Sequence, residues 1–264
     1  MRHWLAASAF TFSLCASAQG EGHTIKGSFD LFTTDDLGHL YALEGDKLSL
    51  YDAKGERIAR NSLNTFGPIT RIDAFSSLKP LIFSRQQGTL ALLDNTLSVQ
   101  GSPIDLPRNG FTQVTEVCMS VRNSFWFFDE RELSLLRVDA QLRPLANSGR
   151  LDQLLGITPH PTYMTEYDSW LYVCDPEIGV LVFDLFGSFS RTLPIQGAQT
   201  VEVRDGAILF VKDGVFMRYD LLTMEITPLV WPEAVARLRV KQARVERGQL
   251  SMLTDEGIVV DELR

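Results

Sequence analysis

Five carboxylates, Asp30, Asp73, Glu116, Glu166 and Glu202, stand at or near the start of short apolar segments spread along the chain. Converging from separate segments, such groups could ligate calcium, a hard cation that takes about six to eight oxygens. Arg71, Lys241 and Arg244 occupy the same segments. The simpler expectation is therefore a rim of compensating charges with no metal. His23, His39 and His160 lack the i, i+4 or short-spaced partner that a zinc or acid–base site would use. Cys118 and Cys174 lie in apolar runs without a nearby histidine, and read as two buried thiols rather than a nucleophile or a disulfide. No G-x-S-x-G occurs, and the glycines stand singly, as turns require, instead of forming a phosphate loop. These observations assign no catalytic residue, no metal and no cofactor.

What positions such residues is a repeat. Aligning the chain on an Asp that closes an apolar run gives LSLYD (Asp52), LALLD (Asp94), LLRVD (Asp139), VLVFD (Asp184), FMRYD (Asp220) and IVVDE (Asp261), at spacings of 42, 45, 45, 36 and 41 residues. A partner run precedes each, beginning at residues 39, 80, 124, 170, 207 and 249, and Gly or Asp turn formers separate the partners. A period near 40 residues marks one supersecondary unit per copy. Runs rich in β-branched and aromatic residues, without 3.6-residue periodicity, make that unit a hairpin rather than a helix pair. Further strand candidates flank the hairpins. Ile69 to Ala74, Val114 to Val121, Thr200 to Val203 and Val240 to Val245 precede them; Arg57 to Arg60, Leu97 to Val99, Ser188 to Leu193 and Met224 to Thr227 follow. The aligned Asp residues are expected to cap the turns that follow them rather than to bind calcium.

Four strands per unit and six units predict an all-β, six-bladed β-propeller, with a β-sandwich or an open β-solenoid as alternatives. The sixth unit has no fourth strand of its own, and His23 to Gly27 belong to no other unit. The N-terminal segment should therefore pair as the outer strand of the last blade, removing a free sheet edge. The segment LYVCDPEIGVLVFDLFGSFSRTL, with Val180 to Asp184 and Gly187, resembles an NHL repeat, and Tyr51-Asp52 with Gly55 repeats it in part. That resemblance implies a six-bladed propeller of the NHL or TolB-like type. By fold analogy it also implies a second reading of function, a lactonase- or lyase-like enzyme or small-ligand binder working in the central channel.

Residues 1 to 18 read as a signal peptide, with Arg2, an apolar stretch from Trp4 to Leu14, and Ala16-Ser17-Ala18 before a cut at Gln19. Residues 19–264 would then form one propeller, periplasmic or secreted, monomeric and without a transmembrane span. Removing the leader takes away one basic residue and no acidic one, so the net charge of −8 becomes −9. That balance argues against nucleic acid. Connections between units carry large apolar groups, Phe66, Phe111, Leu155 and Trp231 among them, and helical turns are expected at Leu151 to Leu155 and Glu233 to Leu238. Exposed, these groups would form a loop face that docks another protein of the cell envelope; alternatively each fills the gap between blades. Trp231 or Tyr163, presented flat to solvent, would instead suit a sugar. The leading expectation is a non-enzymatic, protein-binding scaffold, with Arg71, Asp73, Glu116, Glu166, Glu202 and Lys241 lining the channel.

Overall fold

The computed structural model describes residues 22–74 and 79–263. Its strands form six four-stranded antiparallel sheets, arranged as the blades of a propeller. From blade one to blade six the inner strands are Leu31–Thr34, Arg71–Asp73, Val114–Ser120, Tyr163–Tyr167, Val201–Arg204 and Gln242–Glu246. In blades one to five chain order runs from the axis outward, so each of these blades is a meander.

The sixth blade takes its outer strand from the other end of the described chain. His23–Lys26 pairs antiparallel with Gly257–Glu262, with Ile25 opposite Ile258. Closure by the N-terminal segment, expected above, is what the fold does. Gly257 makes it possible: its φ is +139°, and a Cβ there would lie 2.2 Å from the Ile25 carbonyl oxygen. Only glycine tolerates both the conformation and the approach.

Alternation explains why the middle strands read as unbroken apolar runs. In blade three, Phe125 and Phe127 pack with Leu81, Phe83 and Leu90 of blade two. The intervening Trp126 and Phe128 pack with Leu171, Val173 and Leu181 of blade four. Both faces of a blade are thus buried, at about 1.5–3 kcal/mol for each large apolar side chain. Period two survives as the choice of neighbour, not as inside against outside.

The aligned Asp residues cap their turns as expected. The Oδ1 atoms of Asp52, Asp94, Asp139 and Asp184 each accept the N–H groups two and four residues on, at 2.8–2.9 Å. Asp220 accepts those of Leu222 and Thr223, both at 2.9 Å. Asp261 has no such turn to cap, because the strand beside it comes from the other end of the chain.

Blade two corrects one boundary. Its outer strand is Ile104–Asp105, paired with Thr89 and Leu90, and not Leu97 to Val99. Leu97 instead takes the left-handed corner of the Asp94 turn, φ 64°, and Val99 makes a single bridge to Leu93. Helical turns form at Leu151–Leu155 and Glu233–Val235. The signal peptide and its cleavage point lie outside the described residues.

Candidate functional site

Inner strands have one edge without a strand neighbour, and its N–H and C=O groups need partners. Side chains from other blades supply them. Asp73 of blade two accepts the Met119 N–H of blade three at 2.9 Å. Glu166 of blade four accepts the Val121 N–H at 3.1 Å, the Trp126 Nε1–H at 2.7 Å and the Ser120 hydroxyl, all from blade three. Glu202 of blade five accepts the Val245 N–H of blade six at 2.7 Å. Carboxylates nominated as channel groups are therefore staples between neighbouring blades.

A second set of contacts spans the axis. The Arg71 guanidinium of blade two stacks 3.8 Å from the ring centroid of Tyr163 in blade four and donates to the Met164 carbonyl at 2.7 Å. Arg244 of blade six donates to the Tyr163 hydroxyl, and its guanidinium lies 5.1 Å from the same ring. Tyr163 thus receives two cations, through its π face and its oxygen, and ties three alternate blades together. Arg71 also lies 3.5 Å from Asp73. Nε of Arg71 is buried without a hydrogen-bond partner.

The acidity of Glu202 is altered within this group. Burial pushes its carboxyl up to about 7, against the opposing pull of Arg244, the Val245 N–H and Arg204, while Glu246 adds to the rise. A carboxyl that exchanges its proton near neutrality beside two guanidiniums has the chemistry of a general acid–base.

Of the sequence-nominated channel residues, the fold brings Arg71, Asp73 and Glu202 into this cluster, the last through Arg244. Glu116 instead pairs with Arg85 from the hairpin turn of blade two, and Glu166 serves the blade-three staple. Lys241 is exposed and held 2.6 Å from Asp255. Tyr163 is the residue that sequence reasoning misplaced: it is buried beneath Arg71, which overturns its nomination as a flat sugar platform. Its only sequence signal is an aromatic at the head of an inner strand.

The loop-face nominees fare unevenly. Phe66, 4% exposed, belongs to the core between blades one and two, and Phe111 packs edge-on against Phe127 at 5.4 Å, because a connection must cover the gap it crosses. Both are corrections to the docking surface. Leu155 is half-covered by the core between blades three and four. Trp231 stacks on Phe216 at 4.8 Å and donates to the Gly214 carbonyl at 2.8 Å.

Among the described residues, no group of three or more His, Cys, Asp or Glu side chains is placed to hold a metal ion, and no helix is long and apolar enough to cross a membrane.

No protein-family model and no curated protein matches the chain. Solved structures do. A catalytically inactive histidine-to-alanine variant of virginiamycin B lyase from Staphylococcus aureus, with quinupristin, is similar at a TM-score of 0.61 and 12% identity, over 89% of this chain and 80% of that one. A streptogramin B lyase is similar at 0.56 and 16%, over 92% and 87%. PorZ, a surface component of the type-IX secretion system of Porphyromonas gingivalis, is similar at 0.55 and 13%, over 93% of this chain but 38% of that one. At such identities the likeness establishes a six-bladed propeller and nothing finer.

Proposed function

We propose that the chain is an exported, non-catalytic propeller that binds another protein of the cell envelope, through turns on blades four and five. One observation carries this. The Asp-capped turns need the backbone N–H two residues after the Asp, but place no demand on that residue's side chain. Blades one, two and three put Lys54, Thr96 and Gln141 there. Blades four and five put Phe186 and Leu222, 78% and 89% exposed. Large apolar groups that neither the turn nor the core requires are what a docking surface presents. The axial groups fit a binding role as well, being engaged in staples between blades.

The test is a double variant, Phe186→Ser with Leu222→Ser. Both side chains are solvated, so its melting temperature should match that of the wild type. Tagged wild-type protein cross-linked in envelope fractions should yield a defined adduct that the double variant loses. An adduct retained in full, with the same mass and yield, removes these turns from the interface. Osmotic-shock release of a product beginning at Gln19 tests the export; its retention inside the cell counts against it.

A second reading has its own support. Glu202, lifted by burial to about 7 beside Arg244, which itself donates to the Tyr163 hydroxyl, suits an enzyme or small-ligand site in the channel, and two structural neighbours are lyases. Incubation with quinupristin, followed by mass spectrometry, decides it: a new species formed by the wild type and not by Glu202→Gln supports catalysis.

A further inference from the structure

One register is filled between blades three and four and left open between blades five and six. In blade three, Trp126 pairs across the hairpin with Arg137; in blade five the equivalent pair is Leu209 with Arg218. Trp126 is fully buried in the gap toward blade four. Arg137 crosses that gap to the Leu185 carbonyl at 3.4 Å and is held by Ser120 and Ser124 at 2.9 and 3.3 Å. Leu209 is too short to do the first job. Arg218 turns back onto Asp220 of its own strand, 2.9 Å away. What remains is a cleft of about 730 Å³, within the range of small-molecule sites, roughly 300–1,000 Å³.

Its walls are apolar. Leu209, Phe216, Leu229 and Trp231 come from the blade-five side, Val245 and Leu250 from blade six. Trp231 lies parallel to Phe216 and extends that wall as a flat aromatic surface. The charges decide what kind of ligand fits. Both guanidiniums that line the cleft are spent: Arg204 on Glu246 and Glu202, Arg218 on Asp220. Four carboxylates also line it, Asp205, Glu233, Asp261 and Glu262, and none forms an ion pair among the described residues. The uncompensated charge is therefore negative, next to an aromatic wall that itself favours cations.

We propose that the cleft between blades five and six binds a small amphipathic cation, its apolar body against Trp231, Phe216 and Leu229 and its basic nitrogen among the four carboxylates. This goes beyond the protein-docking reading and is independent of it, since neither Phe186 nor Leu222 takes part.

Decyltrimethylammonium, kept below its micelle concentration and titrated calorimetrically into the full chain, is the probe. It should bind one to one and saturably, while decanoate, with the same chain length and the opposite charge, binds at least about tenfold more weakly. Leu209→Trp, which gives blade five the side chain blade three already uses, should fill the cleft and reduce affinity by more than about tenfold. Glu233→Gln with Glu262→Gln alters only exposed side chains and should weaken the cation by about three- to tenfold at low salt, leaving the melt unchanged. If Leu209→Trp does not fold, the exposed pair decides alone. Equal or tighter binding of decanoate, undiminished binding by the carboxylate pair or by folded Leu209→Trp, or no heat with either probe would each overturn the proposal.

Discussion

Replacing Glu202 by Gln should make the protein more stable at mildly alkaline pH, although it removes a group that lies close to two arginines. Glu202 is 8% exposed, and burial lifts its carboxyl from 4.5 to about 7. The native state then holds the proton more tightly than the unfolded chain does. Its contribution is fully present below about pH 4.5 and is lost as pH rises through about 7. The interval corresponds to about 3 kcal/mol. Gln keeps an oxygen for the Val245 N–H and never ionises, so it mimics the protonated form at every pH. Urea unfolding from about pH 5 to about pH 8, at fixed ionic strength, should show the two proteins alike at the acid end and the variant ahead by about 3 kcal/mol at the other. Burial of His23 lowers its pKa and gives a slope of opposite sign, since a histidine held neutral costs stability as pH falls through its ordinary value. It is common to both proteins and cancels in the difference. Parallel curves, offset by a constant, would mean that Glu202 titrates at its ordinary value and that the axis is wetter than its burial implies.

Three further outcomes follow from the geometry. Glu166→Ala takes an acceptor from Ser120, Val121 and the Trp126 indole at once; it should cost about 2–4 kcal/mol, read as a lowered melting temperature, and a shift below about 2 °C would contradict the staple. Gly257→Ala drives a Cβ into the Ile25 carbonyl oxygen, so proteolysis near the N-terminal strand should accelerate, while Gly214→Ala, whose added Cβ meets nothing within 4 Å, should cost no more than about 1 kcal/mol of left-handed strain. Cys118 and Cys174 are free and buried, with burial pushing both thiols up, Cys174 to about 12; a neutral-pH disulfide reagent should label neither in the native protein and both in urea, and absence of label in urea would reveal a bond between them.

The ring was legible because its signals are local and repeated. An Asp that caps a turn must lie at a fixed distance from the turn's N–H groups, so its place survives in five of the six copies even where the strands drift. Closure was legible for a related reason: a unit short of one strand and a strand short of a unit imply each other. The outer strand of blade two was not. Leu97 and Val99 have strand-like side chains, but Leu97 is the fourth residue of an Asp-capped turn, the place where blades one and four use Gly55 and Gly187. Turn geometry overrode propensity there. The site was legible only as a list of residues. Asp73, Glu166 and Glu202 were read as charges facing other charges, whereas each accepts from a backbone N–H of a neighbouring blade. A backbone group has no letter in the sequence, so no inspection of side-chain types could have paired them. Tyr163 escaped for the same reason, because its partners arrive from positions 92 residues upstream and 81 downstream.

Apolar residues outside the strands show where a repeat becomes informative about function. Phe66 and Phe186 are the same residue type, both beside a glycine and both between strands, yet one is 4% and the other 78% exposed. Composition cannot separate them, and register can. Phe66 lies on a connection from an outer strand to the next inner strand, which must cross the seam between two blades, so its side chain is drawn into the core. Phe186 lies on a turn joining two strands of one blade, which crosses no seam and draws nothing inward. Departures from the repeat pattern at seam-crossing positions are thus explained by packing. Departures at turn tips are not. The exposed turn-tip residues Phe186 and Leu222 and the cleft beside Leu209 all fall on blades four to six, the side of the ring to which both proposals point.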